Sequence, residues 1–250
     1  MIRVENLHKS FNGFQVLRGV SFEVVKGEIL ALIGQSGFGK SVLLKHVAGL
    51  MQPDSGRVVV DGQDMCCLSN KDLVRLRNRF GFLFQGGALF DSMTVFDNVA
   101  FPLREKTILG EDIIRRKVLS ELEQVGLIGS ERKYPAEISG GMIKRTALAR
   151  ALVTDPEIML FDEPTTGLDP ITVKTIVSLI AACHQRLTFT GIVVTHKIPA
   201  IFAIVDKVAM LHEGTIVIAG TPQDILASDE PIVRQFVHVH ESSQEPGCQT

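Results

Sequence analysis

The sequence predicts an α/β fold with a parallel-sheet core, an antiparallel β portion and a helical subdomain. Short apolar runs that are typical of strands alternate with helical patterns towards both ends of the chain. The alternating runs within residues 1–25 indicate half-buried antiparallel strands. From about Asp91 to Glu137 the strand signal fades and the periodicity becomes helical. Strands and helices that alternate around an all-helical insert favour this three-part arrangement.

The elements follow from apolar spacing, taken in order along the chain. The predicted strands are Ile2–Val4, Val16–Leu17, Val20–Val24, Glu28–Ile33, Arg57–Val60, Ile158–Phe161, Ile192–Val194, Lys207–Leu211 and Thr215–Ile218. The predicted helices are Ser41–Leu50, Ser69–Arg79, Val95–Arg104 and Asp112–Val125, and two more begin at Ser139 and Ile171. We expect one domain over residues 1–240, with its helical subdomain at about 91–155. Residues 241–250 are rich in Ser, Gln, Glu and Gly, so we expect a flexible tail there.

Composition limits the classes of function. The 250 residues are 45% hydrophobic and 22% charged, which suits a globular protein with a sizeable core. The net charge of −2 and the lack of a basic stripe argue against a nucleic-acid partner. No run reaches the roughly 18 apolar residues of a membrane span, and the polar N-terminus does not resemble a secretory signal. We expect a cytosolic protein with its cysteines reduced and without a redox role. If it works at a membrane, other chains must hold it there.

A phosphate-binding motif follows the strand Glu28–Ile33. The eight residues Gly34, Gln35, Ser36, Gly37, Phe38, Gly39, Lys40 and Ser41 match G-x-x-x-x-G-K-[ST]. Glycines let backbone N–H groups approach phosphate oxygens, and the next helix directs its positive end at the same anion. Lys40 would reach the β- and γ-phosphates, and the Ser41 hydroxyl would ligate Mg²⁺. A chance glycine turn is the alternative, but the apolar strand and helix on either side favour nucleotide binding.

A second apolar strand, Ile158–Phe161, runs into two acids. Asp162 would hold Mg²⁺ through water, as the acid at this point does in phosphate-loop enzymes. Glu163 would orient or deprotonate the attacking water, because a carboxylate can accept its proton. A solvated strand end is the alternative for both, and the phosphate loop favours the catalytic interpretation.

The segment Ile138-Ser139-Gly140-Gly141-Met142 resembles the signature of the ATP-binding cassette (ABC) proteins. A serine and two glycines at a helix N-terminus again make an anion site. The resemblance implies a P-loop NTPase (RecA-like) fold, ATP and Mg²⁺ as ligands, and a signature that contacts the γ-phosphate held by a second subunit. The active unit would then be a head-to-tail dimer. The family's usual glutamine is replaced by Met142, which puts one polar contact in doubt.

Other residues match the family in the expected order along the chain. Gln85 resembles the Q-loop glutamine, which contacts the metal and links it to membrane subunits. Asp169, within Gly167-Leu168-Asp169-Pro170, resembles the D-loop, and His196 resembles the switch histidine that contacts the γ-phosphate. Phe11 is placed where the family stacks an aromatic ring on adenine, with Phe14 as its rival. Taken alone, each is equally an ordinary core or strand-end residue.

The segment from Gly86 to Glu105 resembles the ATPases of the Mla/Mce-associated lipid transporters, which move phospholipids between the membranes of Gram-negative bacteria. The resemblance implies permease subunits, a periplasmic Mce-domain lipid-binding protein, a small STAS-domain protein, and a location at the cytoplasmic face of the inner membrane. We expect the permease to dock on an apolar cluster made of Leu89, Phe90, Met93, Val95 and Phe96. The alternatives are a transporter ATPase for another solute, a non-transport ABC ATPase and a catalytically silent scaffold.

Overall fold

The computed structural model describes residues 2–241, with side chains to residue 238. Its described backbone divides into two compact units, residues 2–73 with 190–241 and residues 74–189. The strands are β1 (Ile2–Phe11), β2 (Phe14–Val24), β3 (Ile29–Ile33), β4 (Ser55–Val60), β5 (Gln63–Asp64), β6 (Phe80–Leu83), β7 (Ile158–Asp162), β8 (Thr190–Val194), β9 (Lys207–His212) and β10 (Thr215–Gly220). The helices are α1 (Lys40–Val47), α2 (Asn70–Arg77), α3 (Val95–Lys106), α4 (Glu111–Gln124), α5 (Gly140–Leu152), α6 (Pro170–Leu187), α7 (Ile198–Phe202), α8 (Pro222–Leu226) and α9 (Pro231–Glu241).

The first unit contains an antiparallel sheet with the strand order β2-β1-β4-β5. The turn between β1 and β2 is Asn12-Gly13, and both residues have positive φ, at 51° and 81°. This is the two-residue turn whose twist matches that of the flanking strands. Asp61-Gly62 repeats the geometry between β4 and β5, with φ of 47° and 79°. The first turn places Phe11 opposite Phe14 at one end of the sheet.

The first unit also holds a largely parallel group of strands around β3. Strands β8 and β9 flank β3 and run parallel to it, while β10 is antiparallel to β9. All five residues of β3 and all five of β8 are buried, which explains why these strands are nearly continuous apolar runs. Parallel strands end at a common edge, so the residues that follow β3 and β8 are brought to the same side of the sheet.

The second unit combines the parallel strands β6 and β7 with helices α3 to α6. The register pairs Phe80 with Ile158 and Leu83 with Phe161. A side chain at Gly81 would place its Cβ 2.3 Å from the Met159 sulfur and 2.5 Å from the Ala151 carbonyl oxygen, so only glycine fits. The ring of Phe161 lies 6.0 Å from that of Phe189 and helps to close this core.

The predicted α/β class, with parallel and antiparallel sheets, is confirmed. The predicted strands and helices lie where the sequence indicated, but β5, β6, α7, α8 and α9 were not predicted. The stretch 91–155 holds α3, α4 and α5, and its status as a subdomain of a single domain stays a prediction. The flexible tail was predicted over residues 241–250. Residue 241 is the last residue of α9, and residues 242–250 lie outside the described residues. None of the helices in residues 2–241 has the length and apolar content needed to cross a membrane.

Candidate active site

The predicted phosphate loop connects β3 to α1 and is built around glycines that nothing larger could replace. Gly34 has a φ of 142°, and a Cβ there would lie 2.2 Å from the Leu211 carbonyl oxygen. Gly39 has a φ of 93°, and its Cβ would lie 2.8 Å from Val16 Cγ1. Gly39 is also the N-cap residue of α1. It has no side chain that could accept hydrogen bonds from the first N–H groups of the helix. The loop therefore forms a tight backbone cradle with donors suited to an anion.

Lys40 lies inside this loop. Its side chain is 6% exposed, and Nζ donates hydrogen bonds of 2.7 Å to the carbonyl oxygens of Gly34 and Gln35. The first turn of α1 carries no acidic residue that would oppose a bound anion. Phe38 packs edge-on against His212, with the ring centroids 4.9 Å apart. These contacts hold the loop and its ammonium in one arrangement without occupying the donors of the cradle.

His196 is brought to the level of the phosphate loop by strand register. Leu32 of β3 pairs with Val194 of the parallel strand β8. Gly34 and His196 each lie two residues beyond that pair, at the edge where parallel strands end together. Thr195 is fully buried, and its N–H donates to the Leu32 carbonyl oxygen at 3.2 Å, which fixes the start of the segment.

The two aromatic candidates lie side by side at the end of the β1–β2 hairpin. Phe11 is 40% exposed and Phe14 is 66% exposed. Lys9 Nζ lies 5.6 Å from the centroid of the Phe11 ring, a cation–π contact that steadies this ring. Both rings are accessible, so exposure alone does not choose between them.

In the second unit, Asp162 ends β7 and Glu163 follows it. The two residues are 7% and 8% exposed. Glu163 has a φ of 51°, a left-handed conformation that turns the chain sharply after the strand. One of its carboxylate oxygens accepts a hydrogen bond of 2.9 Å from the Thr166 hydroxyl. The chain turns between Asp162 and Glu163, which suits separate roles for the two acids, one as a metal ligand and the other as a base.

Gln85 is brought level with Glu163 by the same kind of register. Leu83 of β6 pairs with Phe161 of the parallel strand β7. Gln85 and Glu163 each lie two residues beyond that pair. Lys144 of α5 connects the two, since its Nζ donates to the Gln85 carbonyl oxygen and, at 3.4 Å, to the Glu163 carbonyl oxygen. Lys144 is 5% exposed. Burial lowers the pKa of its ammonium, and the carboxylates of Glu163 and Asp162 act in the opposite direction.

Sequence reasoning missed Lys144. The only local signal for this residue is its position in the first half of α5, between the signature and an apolar run. A lysine at such a position usually lies on a solvated helix face.

The signature residues lie at the start of α5. Ser139 is its N-cap, with the hydroxyl accepting a hydrogen bond of 3.3 Å from the Met142 N–H. Gly140 is exposed and Gly141 half-buried, and a Cβ on Gly141 would lie 2.8 Å from Thr172 Cγ2. The helix start therefore offers close backbone access to an approaching anion.

Asp169 is the N-cap of α6 and accepts from the N–H groups of Ile171 and Thr172 at 3.0 Å. The Thr172 hydroxyl, together with these backbone amides, holds the pKa of the Asp169 carboxyl below its ordinary value. Asp169, Gly167 and the signature residues line one cavity of about 400 Å³. The predicted signature and D-loop residues are thus brought together in the second unit.

The predicted site residues are divided between the two units. The first unit carries the loop Gly34 to Ser41, His196 and Phe11. The second unit carries Gln85, Asp162 and Glu163 at one strand edge, and Ser139, Gly140, Gly141 and Asp169 at one cavity. Their functional roles stay predictions.

Comparisons with known proteins agree with this geometry. The sequence profile described as ABC transporter matches residues 17–166. The chain is 44% identical over 237 residues to the intermembrane phospholipid transport system ATP-binding protein MlaF of Haemophilus influenzae, covering 95% of this chain and 90% of that protein. It is 45% identical over 237 residues to the probable ribonucleotide transport ATP-binding protein mkl of Mycobacterium leprae, covering 95% of this chain and 68% of that protein.

Among solved structures, an ATP-binding cassette crystallised as a dimer in a post-hydrolysis state with ADP and Pi superposes with a TM-score of 0.82. It is 28% identical in sequence, and the match covers 89% of this chain and 99% of that one. The match covers nearly the whole of that cassette, so the predicted P-loop NTPase fold is confirmed.

Proposed function

Because the chain belongs to the ABC transporter family, we propose that it is the ATP-hydrolysing subunit of a transporter that moves phospholipids between the inner and outer membranes of a bacterium. The similarity to MlaF carries the lipid part of this proposal, since it runs through 95% of this chain. The reaction is the hydrolysis of ATP to ADP and phosphate, coupled to movements of a membrane permease.

ATP is bound through its phosphates by the loop from Gly34 to Ser41. The backbone cradle supplies N–H donors, and Lys40 supplies the positive charge for the β- and γ-phosphates. The Phe11 ring stacks on the adenine and adds on the order of 1 kcal/mol, with little base specificity. Phe14, its neighbour across the hairpin, is the alternative stacking residue.

Mg²⁺ would be held by the Ser41 hydroxyl, by Gln85 and, through water, by Asp162. These are hard oxygen donors of the kind that Mg²⁺ prefers when it is bound mainly by substrate phosphates. When bound, Mg²⁺ neutralises charge that develops on the phosphates. Glu163 orients the attacking water and accepts its proton. His196 contacts the γ-phosphate and holds it in line with that water.

A second copy of the chain completes the site. Ser139, Gly140 and Gly141 lie at the start of α5, where Ser139 and Gly140 are exposed and Gly141 is half-buried, and form an accessible anion site. In a head-to-tail dimer this anion site contacts the γ-phosphate of the partner, and Asp169 lies at the interface. ATP then joins the two copies, and hydrolysis releases them.

The permease docks on an aromatic groove of about 470 Å³ in the second unit. Its wall includes Phe82 stacked on Phe84 at 4.1 Å and Phe90 against Phe101 at 4.9 Å. Phe84 and Phe90 are 38% and 42% exposed, so the groove offers apolar surface close in sequence to the candidate metal ligand Gln85. Of the apolar cluster that the sequence indicated, only Phe90 lines this groove, and Val95 is fully buried in the core.

The remaining partners follow from the lipid assignment. They are a periplasmic Mce-domain lipid-binding protein and a small STAS-domain protein, with the ATPase at the cytoplasmic face of the inner membrane. A second candidate function is transport of another solute, which the name of the mycobacterial relative favours, since it refers to ribonucleotide transport. The lipid or solute that co-purifies with the transporter distinguishes phospholipid transport from transport of another solute.

The ATPase assignment is tested by Glu163→Gln. The amide keeps the size of the side chain and removes the proton acceptor, so we expect ATP affinity to stay within about threefold of wild type and turnover to fall by on the order of 100-fold or more. Steady-state phosphate release and equilibrium ATP binding by the full chain measure the two quantities. Turnover near the wild-type rate would remove Glu163 from its role.

A further inference from the structure

Lys144 is a buried cation that no step of the proposed reaction uses. It lies five residues after Ser139, which places it about 7 Å along α5 from the signature. Its side chain is 5% exposed, although lysines are rarely buried to this extent. Removing an ammonium from water costs several kcal/mol unless hydrogen bonds and charges compensate. A methionine would fill a similar volume without that cost, so packing alone does not account for the residue.

The ammonium joins three segments that carry different predicted functions. Its own helix begins at the signature. Its Nζ donates to the main-chain carbonyl of Gln85, the residue that follows β6 and leads to the docking groove. It also donates, at 3.4 Å, to the main-chain carbonyl of Glu163, the predicted base. Both contacts are to the backbone, so they fix the position of each residue and leave its side chain available for chemistry.

The segment after Gln85 is held against the same helix by further contacts. Arg150 donates to the carbonyl oxygens of Gly87 and Ala88, at 2.6 and 2.7 Å. A Cβ on Gly87 would lie 3.1 Å from Ile143 Cγ2, so the backbone approaches α5 as closely as glycine permits. Ala88 adopts a φ of 47°, which is uncommon for a residue with a side chain. A shift of α5 is therefore passed directly to residues 85–88.

We propose that Lys144 is a positioning residue for ATP hydrolysis, whose ammonium ties Gln85 and Glu163 to the signature helix so that the three move as one body. The proposal rests on the proposed function, since it assumes the roles given to Gln85, Glu163 and the signature. When the signature of one copy engages the γ-phosphate of the other, the base and the Q-loop glutamine follow the same displacement. Loss of the ammonium frees two carbonyls and leaves the phosphate loop unchanged.

The test compares Lys144→Met with Lys144→Arg in the full chain. A base misplaced by about 1 Å costs on the order of 100-fold in rate, so we expect Lys144→Met to lower kcat by about 10- to 100-fold. The KM for ATP, and the Kd for ATP without Mg²⁺, should stay within about threefold because the phosphate loop is untouched. Arginine keeps the charge and can donate to both carbonyls, so Lys144→Arg should recover most of the lost rate.

Lys117→Met is the matched control. Lys117 lies on α4 in the same unit, is 41% exposed and pairs with Asp155 at 2.7 Å, so its loss should leave kcat unchanged. Turnover of Lys144→Met within twofold of wild type would overturn the proposal. So would a loss of ATP affinity that accounts for the fall in rate, or an arginine variant no more active than the methionine variant. Wild type and Glu163→Gln are assayed alongside. A wild-type chain that does not hydrolyse ATP defeats the proposed function, and turnover by Glu163→Gln near the wild-type rate removes Glu163 from its role. An active wild type, an inactive Glu163→Gln and a normal Lys144→Met overturn only the role of Lys144.

Discussion

Replacement of Gly34 by alanine should damage the phosphate loop far more than the same replacement at Gly37. Both glycines lie in the loop and both have positive φ, 142° at Gly34 and 88° at Gly37. A Cβ at Gly34 would lie 2.2 Å from the backbone oxygen of Leu211, whereas a Cβ at Gly37 would meet nothing within 4 Å. The two variants therefore share the added methyl group and a positive φ, and differ in the collision and in how far φ lies from the left-handed α region.

The collision sets the size of the effect. A Cβ closer than 3.0 Å to another heavy atom is essentially never seen, so the loop or the end of β9 must retreat by about 0.8 Å. Lys40 Nζ donates to the Gly34 carbonyl at 2.7 Å and would move with it. A misplacement of about 1 Å in a reacting group costs on the order of 100-fold in rate. The positive φ alone costs about 1–2 kcal/mol of folding stability at Gly37, and at least as much at Gly34, whose φ of 142° lies outside the left-handed α region.

Steady-state ATP turnover and equilibrium ATP affinity of the full chain give the comparison, with urea unfolding as the measure of stability. We expect Gly34→Ala to lose about 100-fold in turnover with weakened ATP binding, and Gly37→Ala to stay within about tenfold of wild type. Equal losses in the two variants, or a milder effect at Gly34, would refute the close packing of Gly34 on Leu211 as the reason for this glycine.

Three further variants test the first and second units separately. Phe11→Ala should weaken ATP affinity about fivefold, the equivalent of a stacking energy near 1 kcal/mol, while Phe14→Ala should not. Calorimetric titration with ATP reports both affinities, and the reverse result would move the stack to Phe14. Asp169→Ala removes the cap of α6 and should lower the thermal midpoint at neutral pH. Because the folded pKa of Asp169 is lowered, its contribution is present above the ordinary pKa of about 3.9 and is lost as the pH falls through the folded value. The difference between wild type and variant should therefore shrink below about pH 4, and a difference that is constant with pH would contradict the capping role.

The elements that depend on local sequence signals could be predicted from the sequence. The run Glu28–Ile33 followed by Gly34 and Lys40 predicts a strand, a loop and a helix, because glycine spacing and apolar continuity act over a few residues. The acids after Ile158–Phe161 were found in the same way. The parallel register then explains why such separate segments end at one edge of a sheet.

The sequence also carries local signals for α8, α9 and the β1–β2 turn. Thr221 and Asp224 form a reciprocal capping box at the start of α8, with Thr221 N–H donating to the Asp224 carboxylate at 2.7 Å and Asp224 N–H donating to the Thr221 hydroxyl at 3.2 Å. In α9, Val233, Phe236 and Val237 are buried at helical spacing. Asn12-Gly13 is likewise a strong short-range hairpin signal.

Lys144 belongs to a different class, because its role depends on residues far away in the chain. Gln85 lies 59 residues before it and Glu163 lies 19 residues after it. No local pattern distinguishes a lysine that is buried by such contacts from one on a solvated helix face. Three-dimensional structure is needed to find residues of this kind.

The central claim, that ATP hydrolysis by this chain drives phospholipid transport, is tested most directly by purifying the Glu163→Gln chain from native membranes with ATP present. The variant should hold ATP and so keep its partners assembled, and mass spectrometry then identifies the proteins and the small molecules that remain bound. We predict an integral membrane permease, an Mce-domain protein and bound phospholipid. Recovery of a permease with a soluble solute-binding protein and no enriched phospholipid would contradict the claim.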